Sequence, residues 1–195
     1  CTYFHNACYN EICFPYRNKS SLMLKLKYME KKILFEKNLI VVGLSNEFVR
    51  FISSRLAEKL NFYYLDVDNL LDYTLMDRIK MNEVCGAKYL DEQEKKVIKS
   101  LNDYEKTVMS IKIDTFIANL KFISSDNIKV YASFNKSNLK DVNQLLKPEF
   151  ETEIVLNELT FNEEDKFLKK NCDIVINCDI NNIDACLEEL INKFN

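Results

Sequence analysis

The chain has 195 residues, 47% of them hydrophobic, which suits one globular domain built around one buried core. Its 27 basic and 30 acidic residues leave a formal net charge of -3 and are interspersed, so nothing indicates a nucleic-acid partner. No apolar run reaches the roughly 18 to 20 residues that cross a bilayer, so we expect a soluble protein without membrane insertion.

The seven cysteines are an odd number in a chain that is not small, which argues against a disulfide scaffold. We expect ordinary single thiols in a reducing compartment. Cys1, His5, Cys8 and Cys13 have the residue types of a zinc site, but their spacing, C-x3-H-x2-C-x4-C, matches no common zinc finger. No metal is therefore predicted. Because the chain begins at Cys1 and not at Met, the sequence leaves open whether a targeting segment precedes it.

The chain divides into an N-terminal extension at 1–37 and an α/β domain at 38–195. The extension has an alternating segment at 22–28 that would suit an added strand. The domain alternates short apolar strands with amphipathic helices, which is typical of a parallel sheet with right-handed crossovers. We predict a three-layer αβα fold with five parallel strands, at 38–43, 62–66, 107–113, 128–134 and 173–177.

The predicted helices of this domain lie at 47–60, 68–73, 76–84, 91–102, 115–123 and 183–194. Between the fourth and fifth strands the sequence contains Pro148 and many polar residues, which we interpret as a long polar connection.

The turn after the first strand differs from a phosphate-binding loop. In G-x-x-x-x-G-K-[ST], glycines let backbone N–H groups wrap phosphates, lysine neutralises them, and the hydroxyl holds Mg²⁺. Gly43 occupies the first glycine position, but Phe48, Val49 and Arg50 occupy the later glycine, lysine and hydroxyl positions. Glu47 adds a carboxylate where anionic phosphate would lie. The sequence therefore predicts no nucleotide cofactor.

The frame around this turn resembles the shikimate kinases. It comprises Gly43, the sequence LAEKLN at 56–61, the strand at 62–65 and the D-x-D pair Asp66 and Asp68, in that family's spacing. The resemblance covers about 38–195 as a fold pattern and implies a P-loop kinase fold. In the family, the first aspartate assists a magnesium site and the second binds a substrate hydroxyl, so Asp66 and Asp68 are the retained pair.

Two further positions complete the candidate site, which is a vestigial nucleotide or substrate site. Gly43 is the retained glycine, and Lys112 lies after the third strand, where it could form an anion site with Arg50. The alternative is that these charges have no binding role and belong to a solvated or ion-paired surface.

The family's substrate-binding positions are also replaced. The segment 86–94 resembles G-E-x-x-F-R-x-x-E, but Asp91 stands where the family's arginine grips the substrate carboxylate. Such a reversal turns a bidentate contact into a like-charge pair. The family's G-G-G loop falls on Lys112, Ile113 and Asp114. The side chains there would fill space that the glycines leave open.

The arginines that the family carries in its lid and in the next segment have no counterpart, because no arginine follows Arg78. The lid region, 135–147, offers only lysines as cations, at Lys136, Lys140 and Lys147. The next segment is acidic and contains Glu163, Glu164 and Asp165.

Two functions follow from these departures. The first is a catalytically inactive pseudokinase of the shikimate kinase type that acts through contacts with other proteins, as a subunit of a larger complex, and needs no cofactor. The alternative is a small-molecule kinase or a ligand-binding sensor with a rebuilt site. The kinase would use ATP and Mg as cofactors. The stretch at 62–68 resembles plastid shikimate-kinase-like proteins that lack kinase activity, which implies an organelle interior such as a plastid, with the cytoplasm as the alternative.

Overall fold

The computed structural model describes residues 37–75, 78–134 and 158–194. The predicted extension at 1–37 lies outside these residues except for Lys37, and so do its cysteines and histidine. The predicted lid at 135–147, with its three lysines, also lies outside them.

Within the described residues, five parallel strands form one sheet in the order β2-β3-β1-β4-β5. The strands are β1 (Leu39–Val42), β2 (Tyr63–Asp66), β3 (Thr107–Ser110), β4 (Ile128–Phe134) and β5 (Ile174–Cys178). Every residue of the central strand β1 is buried, as expected for a parallel sheet with both faces covered. The predicted five-stranded parallel sheet is confirmed, and each strand is found within a few residues of its predicted position.

Helices cover both faces of the sheet. They are α1 (Asn46–Leu60), α2 (Val67–Leu75), α3 (Arg78–Cys85), α4 (Ala87–Ser100), α5 (Ile113–Asn119), α6 (Glu158–Asn171) and α7 (Ile183–Phe194). The buried side chains of α1 and α7 form one apolar cluster with the sheet, and those of α2, α4, α5 and α6 form the other. The three-layer αβα architecture is confirmed. No helix among the described residues is both long and apolar enough to cross a bilayer.

Helix α6 corrects the sequence interpretation, which placed only a polar connection between β4 and β5. Its sequence, ELTFNEEDKFLKKN, is mostly polar. Of the side chains described in this helix, Leu168 is the one that is apolar and fully buried. A single buried position gives little helical periodicity, so the apolar pattern was too weak to predict this helix.

A buried asparagine fixes the amino end of the sheet. Nδ2 of Asn38 donates to the carbonyl of Tyr104 at 2.6 Å and to Oδ1 of Asn127 at 3.1 Å. Its Oδ1 accepts the backbone N–H of Thr107 at 3.1 Å, and its carbonyl accepts that of Ile128 at 2.9 Å. Because Thr107 begins β3 and Ile128 begins β4, this one residue sets the positions of the two strands that flank β1.

Candidate functional site

The turn between β1 and α1 is short. Helix α1 begins at Asn46, three residues after Gly43, and is capped by Ser45. Oγ of Ser45 accepts the N–H of Phe48 at 3.2 Å, and its carbonyl accepts that of Val49 at 2.9 Å. Phe48 and Val49, predicted at the glycine and lysine positions of a phosphate loop, are 0% and 1% exposed. Both side chains belong to the core, and both amides are already bonded within the turn.

Gly43 has a packing role that needs no ligand. A Cβ at this position would lie 2.7 Å from the carbonyl oxygen of Ala132 and 2.9 Å from Cγ2 of Val49. These distances are too short for non-bonded atoms, and the first contact is to backbone. The close approach of β4 and α1 to the end of β1 therefore requires glycine here.

Asp66 ends β2 and is engaged by two protein groups. Its Oδ2 lies 2.6 Å from Nε of Arg50, which projects from α1. Its Oδ1 accepts the N–H of Asn69 at 3.0 Å, in the first turn of α2. Both oxygens of the first D-x-D carboxylate are thus occupied by the protein itself.

Asp68 is 3% exposed and links α2 to the start of α5. Its Oδ2 accepts the backbone N–H of Lys112 at 2.8 Å, and its Oδ1 accepts the hydroxyl of Thr115 at 2.9 Å. The crevice between Asp68, Lys112 and Arg50 has no volume open to a water molecule. The structure therefore brings the predicted residues together at the carboxyl ends of β2 and β3, but it bonds both aspartates to protein groups. A ligand-binding role for Gly43, Asp66, Asp68 and Lys112 stays a prediction.

The positions that bind the substrate acid in the family carry negative charge here. Asp91 is exposed on α4 and forms an ion pair with Lys95. Ile113 is buried in the core, whereas Asp114 is exposed in the first turn of α5. Burial, together with the charge of Asp114, raises the pKa of Glu164 on α6 above its ordinary value. Asp114 and Glu164 therefore lie close enough to form a locally acidic surface.

Asp165, the next residue of α6, is held by two neighbours. Its Oδ1 accepts the hydroxyl of Tyr131 at 2.8 Å, and its Oδ2 lies 2.7 Å from Nζ of Lys169. Burial and this carboxylate raise the pKa of Tyr131, so the phenol stays a hydrogen-bond donor. Among residues 37–75, 78–134 and 158–194, no group of three or more histidine, cysteine and carboxylate side chains is arranged to hold a metal ion.

An open cleft, not predicted from the sequence, lies between α1, β2 and the start of α2. Its volume is about 760 Å³, and its lining consists of Arg50, Phe51, Ser54, Arg55, Glu58, Tyr64, Asp66 and Asn69. Arg55 lies with its guanidinium carbon 5.0 Å from the ring centre of Phe51, and no carboxylate of the described residues forms an ion pair with it. Arg55 lies on the exposed side of α1, and the sequence alone does not reveal that β2 faces this helix.

The stability effect of Glu164 gives the first prediction. Because its pKa is raised from 4.5, the folded state holds its proton more tightly than the unfolded state. Stability is then greatest below the unfolded pKa and falls as the pH rises through the folded pKa. We therefore expect Glu164→Gln to raise Tm at about pH 7 and to change it little at about pH 4.

Thermal unfolding of both proteins across this range measures the effect. Glu163→Gln is the matched control, since Glu163 is an exposed neighbour on the same helix. A gain that is equal at both pH values, or equal for the two variants, would contradict the raised pKa of Glu164.

Solved structures of shikimate kinases are similar to this chain, although no family model and no curated protein matches its sequence. The Bacteroides thetaiotaomicron enzyme has a TM-score of 0.62 at 14% identity, over 81% of this chain and 98% of that one. The Acinetobacter baumannii enzyme in complex with shikimate has a TM-score of 0.57 at 17% identity, over 84% of this chain and 98% of that one. The Aquifex aeolicus enzyme has a TM-score of 0.54 at 19% identity, over 80% of this chain and 94% of that one. The chain therefore has the shikimate kinase fold, a fold of the P-loop kinases.

Proposed function

We propose that this chain is a non-catalytic protein with the shikimate kinase fold that acts through contacts with other proteins. The observation that carries the proposal is the start of α1 at Asn46, which makes Phe48 and Val49 core residues. A phosphate loop needs free backbone amides and a lysine at these positions. Here the amides are bonded to Ser45 and the lysine position is apolar.

The missing groups matter because phosphoryl transfer depends almost entirely on positioning and charge stabilisation. Losing one such donor typically lowers the rate by about 10² to 10³. Arg50, at the hydroxyl position, is paired with Asp66, and Asp66 in turn caps α2. A metal ion at Asp66 would have to compete with both contacts. This supports a protein without nucleotide chemistry.

The acid-binding end supports the same conclusion. Asp91 replaces the family's arginine, and Asp114 and Glu164 lie near enough for one charge to affect the other. A carboxylate substrate would meet like charges on α5 and α6, and the carboxylate of Asp91 on α4 is paired with Lys95. The loss at both ends distinguishes an abandoned site from a single compensated substitution.

Exposed apolar side chains support a role in protein contacts. Tyr63 on β2, Tyr73 on α2, and Ile79 and Val84 on α3 are between 76% and 86% exposed. Within the described residues β2 is also an edge strand of the sheet. An edge strand with unpaired backbone groups can pair with an extended segment of another protein.

The catalytic half of the proposal is tested by calorimetric titration of the full chain with Mg-ATP and with shikimate, followed by a coupled assay for ADP. We expect no binding heat up to roughly millimolar ligand, where the free energy of binding would be about -4 kcal/mol. An active shikimate kinase measured in the same cell is the positive control. Micromolar binding of Mg-ATP or shikimate, together with formation of ADP, would contradict the proposal.

The contact half is tested with the chain in extracts of its native source. We expect it to elute in a discrete complex larger than the monomer. Tyr63→Glu should release it, because a charge on the edge strand opposes strand addition. Tyr89→Glu, an exposed tyrosine on α4, is the matched control and should stay in the complex. Monomeric elution, or equal behaviour of the two variants, would contradict a contact through β2.

The cleft beside Arg55 favours a second candidate function, the binding of a small anion. Its volume of about 760 Å³ is in the usual range for ligand sites, and Ser54, Tyr64 and Asn69 could add hydrogen bonds to a carboxylate or phosphate held by Arg55. A ligand that binds only the folded state would raise Tm. We expect such a shift from one member of a panel of carboxylates and phosphates, and its loss in Arg55→Met. No shift across the panel would exclude this candidate.

A further inference from the structure

Two cysteines that lie eight positions apart in the sequence meet at the end of β5. Cys178 is the last residue of this strand, and Cys186 lies in the first turn of α7. Their Sγ atoms are 3.0 Å apart, and the residues are 1% and 9% exposed. Both side chains belong to the apolar cluster that holds α7 on the sheet. The sequence suggested unrelated thiols, but the structure pairs these two.

The separation is short enough for a covalent bond. A disulfide has an S–S distance of about 2.05 Å, so the two sulfurs need to approach by only about 1 Å. Cys178 and Cys186 lie on different elements, so a bond between them would join the edge strand β5 to the last helix α7.

We propose that Cys178 and Cys186 are a reversible oxidation site at which a peroxide converts two thiols into an intramolecular disulfide. The sulfur of Cys186 attacks one peroxide oxygen. An S–O bond forms as the O–O bond breaks, the first water leaves, and Cys186 becomes a sulfenic acid. The sulfur of Cys178 then attacks that sulfur. The S–S bond forms as the S–O bond breaks, and the Cys178 proton leaves with the second water. Two electrons pass from the thiols to the peroxide.

The assignment of Cys186 as the attacking sulfur follows from its position. It is the more exposed of the two sulfur-bearing residues, at 9% against 1%, and it lies on the helix that covers the sheet. The contact with Cys186 and burial raise the pKa of the Cys178 thiol. The thiolate is the reactive form, so the more exposed Cys186 reacts first and Cys178 resolves the intermediate.

The bond would stiffen a specific part of the molecule. Leu187 and Leu190 hold α7 on the sheet, and the exposed ion pairs of Lys59 with Asp184 and Glu188 join it to α1. A disulfide adds a covalent link at the amino end of this helix, where the ion pairs are weak. Oxidation should therefore raise the thermal stability of the chain.

The test is peptide mapping of the full chain. The protein is treated with hydrogen peroxide, its remaining thiols are alkylated, and its peptides are analysed by mass spectrometry. We expect a linked Cys178–Cys186 peptide that disappears after dithiothreitol, and a Tm that rises by several degrees on oxidation. This measurement needs no variant, so a folding defect cannot obscure it.

Variants sharpen the result. Cys178→Ala should lose both the linked peptide and the rise in Tm, whereas Cys85→Ala, at an exposed single cysteine, should keep both. The proposal is overturned if Cys178 and Cys186 remain open to alkylation at peroxide levels that oxidise Cys85. It is also overturned if Cys186 is found linked to a different cysteine.

Discussion

The contact between Gly43 and the carbonyl of Ala132 is the constraint on which the rest of the site depends. No side chain fits at Gly43, so the end of β1 lies directly against β4 and against Val49 of α1. The chain then enters α1 within three residues, and the first turn of the helix brings Phe48 into edge-to-face contact with Phe134 at 5.3 Å between ring centres. The space and the amides of a phosphate loop are both used by this packing. A glycine that would suggest nucleotide binding in a sequence thus serves the core.

The charged residues around this turn compensate one another. Arg50 pairs with Asp66, Asp66 accepts an amide in the first turn of α2, and Asp68 accepts the amide of Lys112 before α5. A buried carboxylate without a partner would destabilise the fold, and here protein groups bond both Asp66 and Asp68.

Much of the fold was predictable because the strands are short apolar runs bounded by polar turns, and β1, with every residue buried, is the clearest case. Helix α6 was not, since Leu168 alone among its described side chains is fully buried. The sequence indicated candidate residues that follow β2 and β3, but it did not indicate which of them pair with one another. The approach of Arg50 to Asp66 depends on which side of α1 faces β2, and that of Cys186 to Cys178 depends on how α7 turns back over β5. Neither follows from the spacing of the residues.

The asparagine at the amino end of the sheet has a consequence for the response of this protein to salt. Asn38 joins β1 to the first residues of β3 and β4 through hydrogen bonds between neutral groups. Asn127, which Asn38 contacts, in turn donates from Nδ2 to Oδ1 of Asn102 at 2.8 Å. Added salt screens ion pairs at the surface, such as that between Lys59 and Asp184, but it hardly affects hydrogen bonds between buried amides. High ionic strength should therefore weaken the link between Lys59 and α7 while it leaves the apolar packing of this helix and the alignment of the central strands intact.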